Sequence, residues 1–112
     1  MSIFVGSEVV FAANFVNGAG TVTDPDSVRF FLREGVDATE LEWIYNASPT
    51  EGTHYPTGME PIVRNSTGNF SLPWLMRKPE RHTGFWVGSG TVDQAIPVTV
   101  FVRHTPIAAL DP

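Results

Sequence analysis

Apolar side chains recur at every second position through one segment of this chain after another, and each such segment ends among glycine, proline, asparagine or aspartate. A β-strand points successive side chains to opposite faces, so a period of two predicts strands with one buried and one wet face. Over residues 7–15, Val9, Phe11, Ala13 and Phe15 share a face opposite Glu8, Ala12 and Asn14. Val28, Phe30 and Leu32 alternate with Arg29, Phe31 and Arg33, and Leu41, Trp43 and Tyr45 alternate with Glu40, Glu42, Ile44 and Asn46. Phe70, Leu72 and Trp74 form another inner set, and Ile96, Val98, Val100 and Val102 close the series with Thr99, Phe101 and Arg103 outward. Residues 84–88 read as one more short strand, and helical periodicity is nearly absent.

The punctuation agrees with this reading. Asn17-Gly18-Ala19-Gly20 and Asp24-Pro25-Asp26 supply positive φ or a preset φ where the chain reverses, and Asn65-Ser66-Thr67-Gly68 between two apolar runs predicts a hairpin. Residues 47–61 are rich in proline and glycine and form the longest irregular stretch, with a short edge strand expected near His54 and Tyr55. About seven short strands at roughly 8 to 15 residue intervals, without intervening helices, predict an all-β antiparallel sandwich of the immunoglobulin-like kind, a small closed barrel being the alternative. With 112 residues there is room for one domain, spanning 1–112, with short apolar arms at both ends.

Composition narrows the chemistry. The chain has no cysteine, which removes disulfides, thiolate metal sites and a cysteine nucleophile. Its 42% apolar content supports a core, yet no run approaches the ~20 consecutive apolar residues of a membrane-spanning helix. The first residues lack the pattern of a secretory signal. A net charge of -5, with one small basic cluster at Arg77, Lys78, Arg81 and His82, argues against nucleic acid as a partner; that cluster is expected in a solvated loop.

Catalytic constellations are lacking. His54, His82 and His104 fall in predicted loops or at a strand end, without a nucleophile motif or zinc-ligand spacing. Asp24 and Asp26 read as turn formers rather than calcium ligands, because no completing Gly and distal Glu follow. Glu40 and Glu42 read as a solvated strand face. Asn46-Ala47-Ser48 and Asn65-Ser66-Thr67 match the glycosylation pattern by coincidence.

Ordered motifs run along nearly the whole chain: Val5-Gly6-Ser7-Glu8-Val9, Gly20-Thr21-Val22-Thr23-Asp24-Pro25-Asp26-Ser27-Val28, Arg64-Asn65-Ser66-Thr67-Gly68-Asn69-Phe70, Thr83-Gly84-Phe85-Trp86-Val87-Gly88-Ser89-Gly90-Thr91 and Val98-Thr99-Val100-Phe101-Val102-Arg103. This set resembles a family of small immunoglobulin-like structural proteins of tailed bacteriophages. The resemblance implies a virion component assembled in the host cytoplasm, either a capsid decoration (cement) protein or a head–tail connector, neck or tail part. Its implied partners are other virion proteins, the major capsid protein or neck and tail proteins, and copies of itself in symmetric array, with no cofactor. The family defines no catalytic residues, and this chain departs from its pattern in the longer, proline-rich stretch 48–61.

Candidate contact residues follow from what the alternation leaves outside. Phe31, Ile44, Trp86 and Phe101 are sent outward, where exposed aromatics mark a protein interface. His54 and Tyr55 stand in the long middle stretch, and Ile3 and Phe4 at one end, with Ile107 and Leu110 at the other, form apolar arms suited to a neighbour's sheet edge or groove. The expected function is assembly with particle proteins. The competing reading is a receptor- or carbohydrate-binding module of a tail or fibre with Trp43, Trp74 or Trp86 as its platform; an enzyme is the least favoured.

Overall fold

The computed structural model describes residues 3–35, 38–46, 54–56, 59–90 and 92–103. Among them eight strands run in the order β1 (Ile3–Phe4), β2 (Glu8–Asn14), β3 (Ser27–Glu34), β4 (Leu41–Asn46), β5 (Val63–Ser66), β6 (Asn69–Leu75), β7 (Arg81–Ser89) and β8 (Gln94–Arg103). They form a five-stranded sheet, β1-β8-β7-β3-β4, and a three-stranded sheet, β2-β6-β5. All pairings are antiparallel except β1 with β8. This is the expected all-β sandwich with immunoglobulin-like architecture.

The inner faces are those the alternation indicates. Phe11, Ala13 and Phe15 from the start of the chain, Phe70, Leu72 and Trp74 from β6, and Val28, Phe30, Leu32 and Trp43 from β3 and β4 are all buried in one cluster. Phe30 sits at its centre, with ring centroids 5.3 Å from Phe11, 5.7 Å from Trp43 and 4.6 Å from Trp86. Tilted and edge-on pairs of this kind add about 0.5–1.5 kcal/mol each beyond the area they bury. With no disulfide possible, the sheets are joined by packing across the core, in which Phe11 meets Phe30, Trp43 meets Trp74 at 5.5 Å and Tyr45 meets Phe70 at 5.3 Å.

Two local devices hold the sandwich ends. Asp24 accepts from the Gly68 amide at 2.7 Å and from Arg64 Nη2 at 2.8 Å, fastening the loop before β3 to the β5–β6 hairpin. Gly68, at φ +69°, takes the left-handed turn that brings its amide there, and a Cβ would lie 2.8 Å from the Phe15 carbonyl oxygen. Across the molecule, Arg77, just after β6, forms an ion pair with buried Glu34 at the end of β3. His82 lies beside it in full burial, its Nε2 3.7 Å from Glu34 Oε2 and its Nδ1–H donating to the Glu80 carbonyl at 2.9 Å.

Several expectations are corrected here. The strand expected at 84–88 is longer and begins at Arg81, which carries His82 out of a loop and into the core. The basic cluster is accordingly split between an ion pair, a buried imidazole and exposed charges. Trp86, expected outward, is fully buried and packs on Phe30. The run Phe85-Trp86-Val87 is apolar at three successive positions, so its own pattern cannot choose a face; pairing of Trp86 opposite Phe30 makes the choice. Finally, the backbone at Ile3 and Phe4 is no free arm reaching for a neighbour. It pairs in parallel with Val102 and Arg103 of the same chain, on the edge of β8 that faces away from β7. Ile107 and Leu110, the other arm, lie outside the described residues.

Candidate functional site: the outer face of the five-stranded sheet

Alternation that buries Val28, Phe30 and Leu32 must expose the residues between them, and pairing then sets those residues in rows across four strands. One row runs Pro97, Phe85, Phe31, Glu42 from β8 to β4. The next on one side is Ala95, Val87, Arg29, Ile44; on the other, Thr99, Thr83, Arg33, followed by Phe101 opposite Arg81. An apolar centre of aromatic, proline and aliphatic groups is thus rimmed by arginine, glutamate and threonine.

Phe31 and Phe85 stack at 4.8 Å with their planes 24° apart. Phe85 remains 38% exposed and Phe101 67%. Their arrangement depends on Gly84: a Cβ there would lie 2.2 Å from the Phe31 carbonyl oxygen, so glycine permits β7 and β3 to approach where the two rings meet. Around the stack, Arg29 lies 3.9 Å from Glu42 and Arg33 lies 3.6 Å from Glu40, both exposed pairs. Such pairs contribute little to stability, about 0–1 kcal/mol, but they set the charge pattern a partner meets.

Beyond β4 the sheet is continued for one residue. Ile44 and His54 exchange two backbone hydrogen bonds of 2.8 Å, so the expected short edge strand is present as an isolated bridge. This puts exposed His54 and Tyr55 at the edge of the same sheet, next to half-buried Ile44. Four of the candidate contacts, Phe31, Ile44, His54 and Phe101, therefore belong to one sheet or its rim, with Tyr55 adjoining. The sequence pattern that sends Trp86 outward hides Phe85, its neighbour; the signal that points to Phe85 is the inward requirement of His82, Gly84, Trp86 and Gly88 taken together.

Other sites carry less chemistry. A cleft of about 280 Å³ is lined by Glu8, Met59, Glu60, Pro73, Trp74, Leu75 and Arg77, with the Arg77 guanidinium 5.1 Å above the Trp74 ring. Among the described residues its lining includes no histidine or hydroxyl nucleophile. Among the described residues no group of three or more His, Asp or Glu side chains could hold a metal ion, and no helix is long and apolar enough to cross a membrane. Arg64 and the Gly68 amide hold the Asp24 carboxyl below the usual carboxylate range, which is the signature of a turn clamp rather than of an acid–base pair. Trp43, Trp74 and Trp86 are all buried, so none can serve as an exposed sugar platform.

No family model matches the chain. No curated protein matches it either. Among solved structures it is similar to the extracellular domains of the voltage-gated sodium channel beta4 subunit, parallel homodimers connected with that protein's role in cell–cell adhesion. The likeness covers 94% of this chain and 90% of that chain at a TM-score of 0.51 and 13% sequence identity. At that identity it concerns the fold, and it agrees with the strand order in defining an immunoglobulin-like domain.

Proposed function

We propose that this chain is a non-catalytic protein-binding module that acts by assembly, and that the outer face of β8, β7, β3 and β4 is its contact surface. The observation that carries the reading is the partly exposed Phe31–Phe85 stack, with Pro97 beside it in the same row and Phe101 two rows further along β8, on a face where a solitary sandwich gains more from polar groups. Stacked rings are already ordered, so docking on them costs little side-chain entropy, and aromatic residues with a polar rim are the composition of interface centres.

The particular assembly proposed is a tailed-bacteriophage virion, as a capsid decoration protein or a neck or tail component. Its support is the run of ordered turn motifs, from Val5-Gly6-Ser7 to Val100-Phe101-Val102-Arg103, which resembles small phage structural proteins. Binding only the assembled lattice stabilises that state by mass action, and many symmetric copies multiply the effect. The test is recovery of the chain in stoichiometric amount from purified particles, with F85S and F101S variants that fold normally but incorporate poorly. A monomer that is absent from particles and binds a glycan instead would overturn the reading.

A further inference from the structure

We infer that the outer face of the five-stranded sheet is self-complementary and seats a second copy of this chain, with the strands of the two copies running in the same direction and β7 of each lying over β3 of the other. This rests on the reading of that face as a protein-binding surface and names its occupant.

β3 presents Arg29, Phe31 and Arg33 in succession on the outer face, and the acids Glu40 and Glu42 stand on the β4 side only. In a pair of identical faces related by a two-fold axis, each residue that meets another is met by it in turn. If the axis crosses the strands at the row of Phe31 and Phe85, so that the stacks meet, β3 lies over β3 with its direction reversed and Arg29 meets Arg33 twice. Like charges set against each other at an interface are strongly unfavourable. An axis parallel to the strands removes that clash. Arg29 then faces Val87, Arg33 faces Thr83, and the Phe31–Phe85 stack of one copy lies over the same stack of the other in opposite order.

The flanks agree with this orientation. β8 lies over β4 of the second copy, so Pro97 faces Glu42 and Thr99 faces Glu40. Arg81, exposed and in no ion pair among the described residues, comes diagonally toward Glu40 of the second copy. Phe101, the most exposed of the outward aromatics, lies at the same end, where the second copy covers it. Four strands about 4.8 Å apart and some eight residues long at about 3.4 Å give a face of roughly 500 Å². Two such faces reach only the lower limit for a specific interface, so the isolated dimer is weak, with a Kd on the order of tens of micromolar or weaker.

The chain's lack of cysteine makes the test direct, because any thiol cross-link must come from an introduced residue. Sedimentation of the wild-type chain from about 5 µM to about 500 µM is expected to show a monomer–dimer equilibrium, which F85S and, independently, F101S weaken at least about tenfold while the far-ultraviolet circular dichroism is unchanged. A short bis-maleimide is expected to join T99C to E40C in mixed samples and not T99C to A95C; the crossed-axis arrangement gives the reverse. A wild-type chain that stays monomeric throughout, a dimer indifferent to both substitutions, or cross-linking of T99C to A95C alone overturns the inference. If the chain is monomeric but F85S and F101S still lose particle binding, the second-copy occupant fails while the protein-binding reading stands. If particle binding is indifferent to both, that reading fails whatever the oligomeric state.

Discussion

The two outer faces of the sandwich offer apolar groups in different ways. On the three-stranded sheet Val10 and Leu75 are 57% and 55% exposed, with Val63 and Pro73 nearby, but Glu8, Asn14, Asn69 and Ser71 interrupt them. On the five-stranded sheet the apolar groups include a stacked aromatic pair and run on across neighbouring strands, with Arg29 and Arg33 on either side of Phe31 along β3 and the glutamates on the β4 side. Total exposure alone does not separate the faces. Order does: scattered aliphatic side chains are ordinary on a monomer surface, whereas a fixed stack inside a charged rim can be matched by a partner.

Substitutions can break this comparison at graded cost. The largest expected effect is that of G84A, which drives a methyl group into the Phe31 carbonyl and forces β7 away from β3. A loss of about 3 kcal/mol by chemical denaturation is expected, together with loss of partner binding, because fold and face share this approach. Next is E34A, which leaves Arg77 and buried His82 without their carboxylate where the two sheets are tied together. The half-exposed Arg77 can still reach water, so the expected loss is about 2 kcal/mol rather than the full penalty of a broken buried pair.

Smaller effects sharpen the contrast between the faces. F85S is expected to cost about 1 kcal/mol of stability, the value of its stack, yet to weaken partner binding at least about tenfold by surface plasmon resonance. V10S and L75S on the opposite face are expected to leave binding within about twofold; an equal loss from them would show that both faces are used.

The smallest effect is that of D24N, a drop in Tm of no more than about 4 °C at neutral pH, since the Asp24–Arg64 pair is exposed. The folded-state pKa of Asp24 is lowered from 3.8 by the Arg64 hydrogen bonds and the Gly68 amide. Its contribution is therefore present above the unfolded value and is lost as pH falls through the lower folded value. Thermal melts of wild type and D24N are expected to differ above the unfolded value of 3.8 and to converge as the pH falls through the lower folded value.

The sequence by itself determined the strands and their buried faces, because a two-residue period read against turn formers has one interpretation wherever a polar face contrasts with an apolar one. Val28-Arg29-Phe30-Phe31-Leu32 and the Phe70, Leu72, Trp74 set show it: every inward residue of both is buried. Asp24-Pro25 and Asn65-Ser66-Thr67-Gly68 were likewise legible as turns, since their chemistry is local. Where both faces are apolar, the period carries no direction. Phe85-Trp86-Val87 was resolved only when β7 paired with β3, placing Trp86 against Phe30 and freeing Phe85 to meet Phe31. Tertiary structure also decided that Glu34, His82 and Arg77 meet, and that β1 closes against β8, because both bring together residues far apart in the chain. Phe31 and Phe101 were visible one at a time in the sequence; pairing across strands is what added Phe85 and made them a surface.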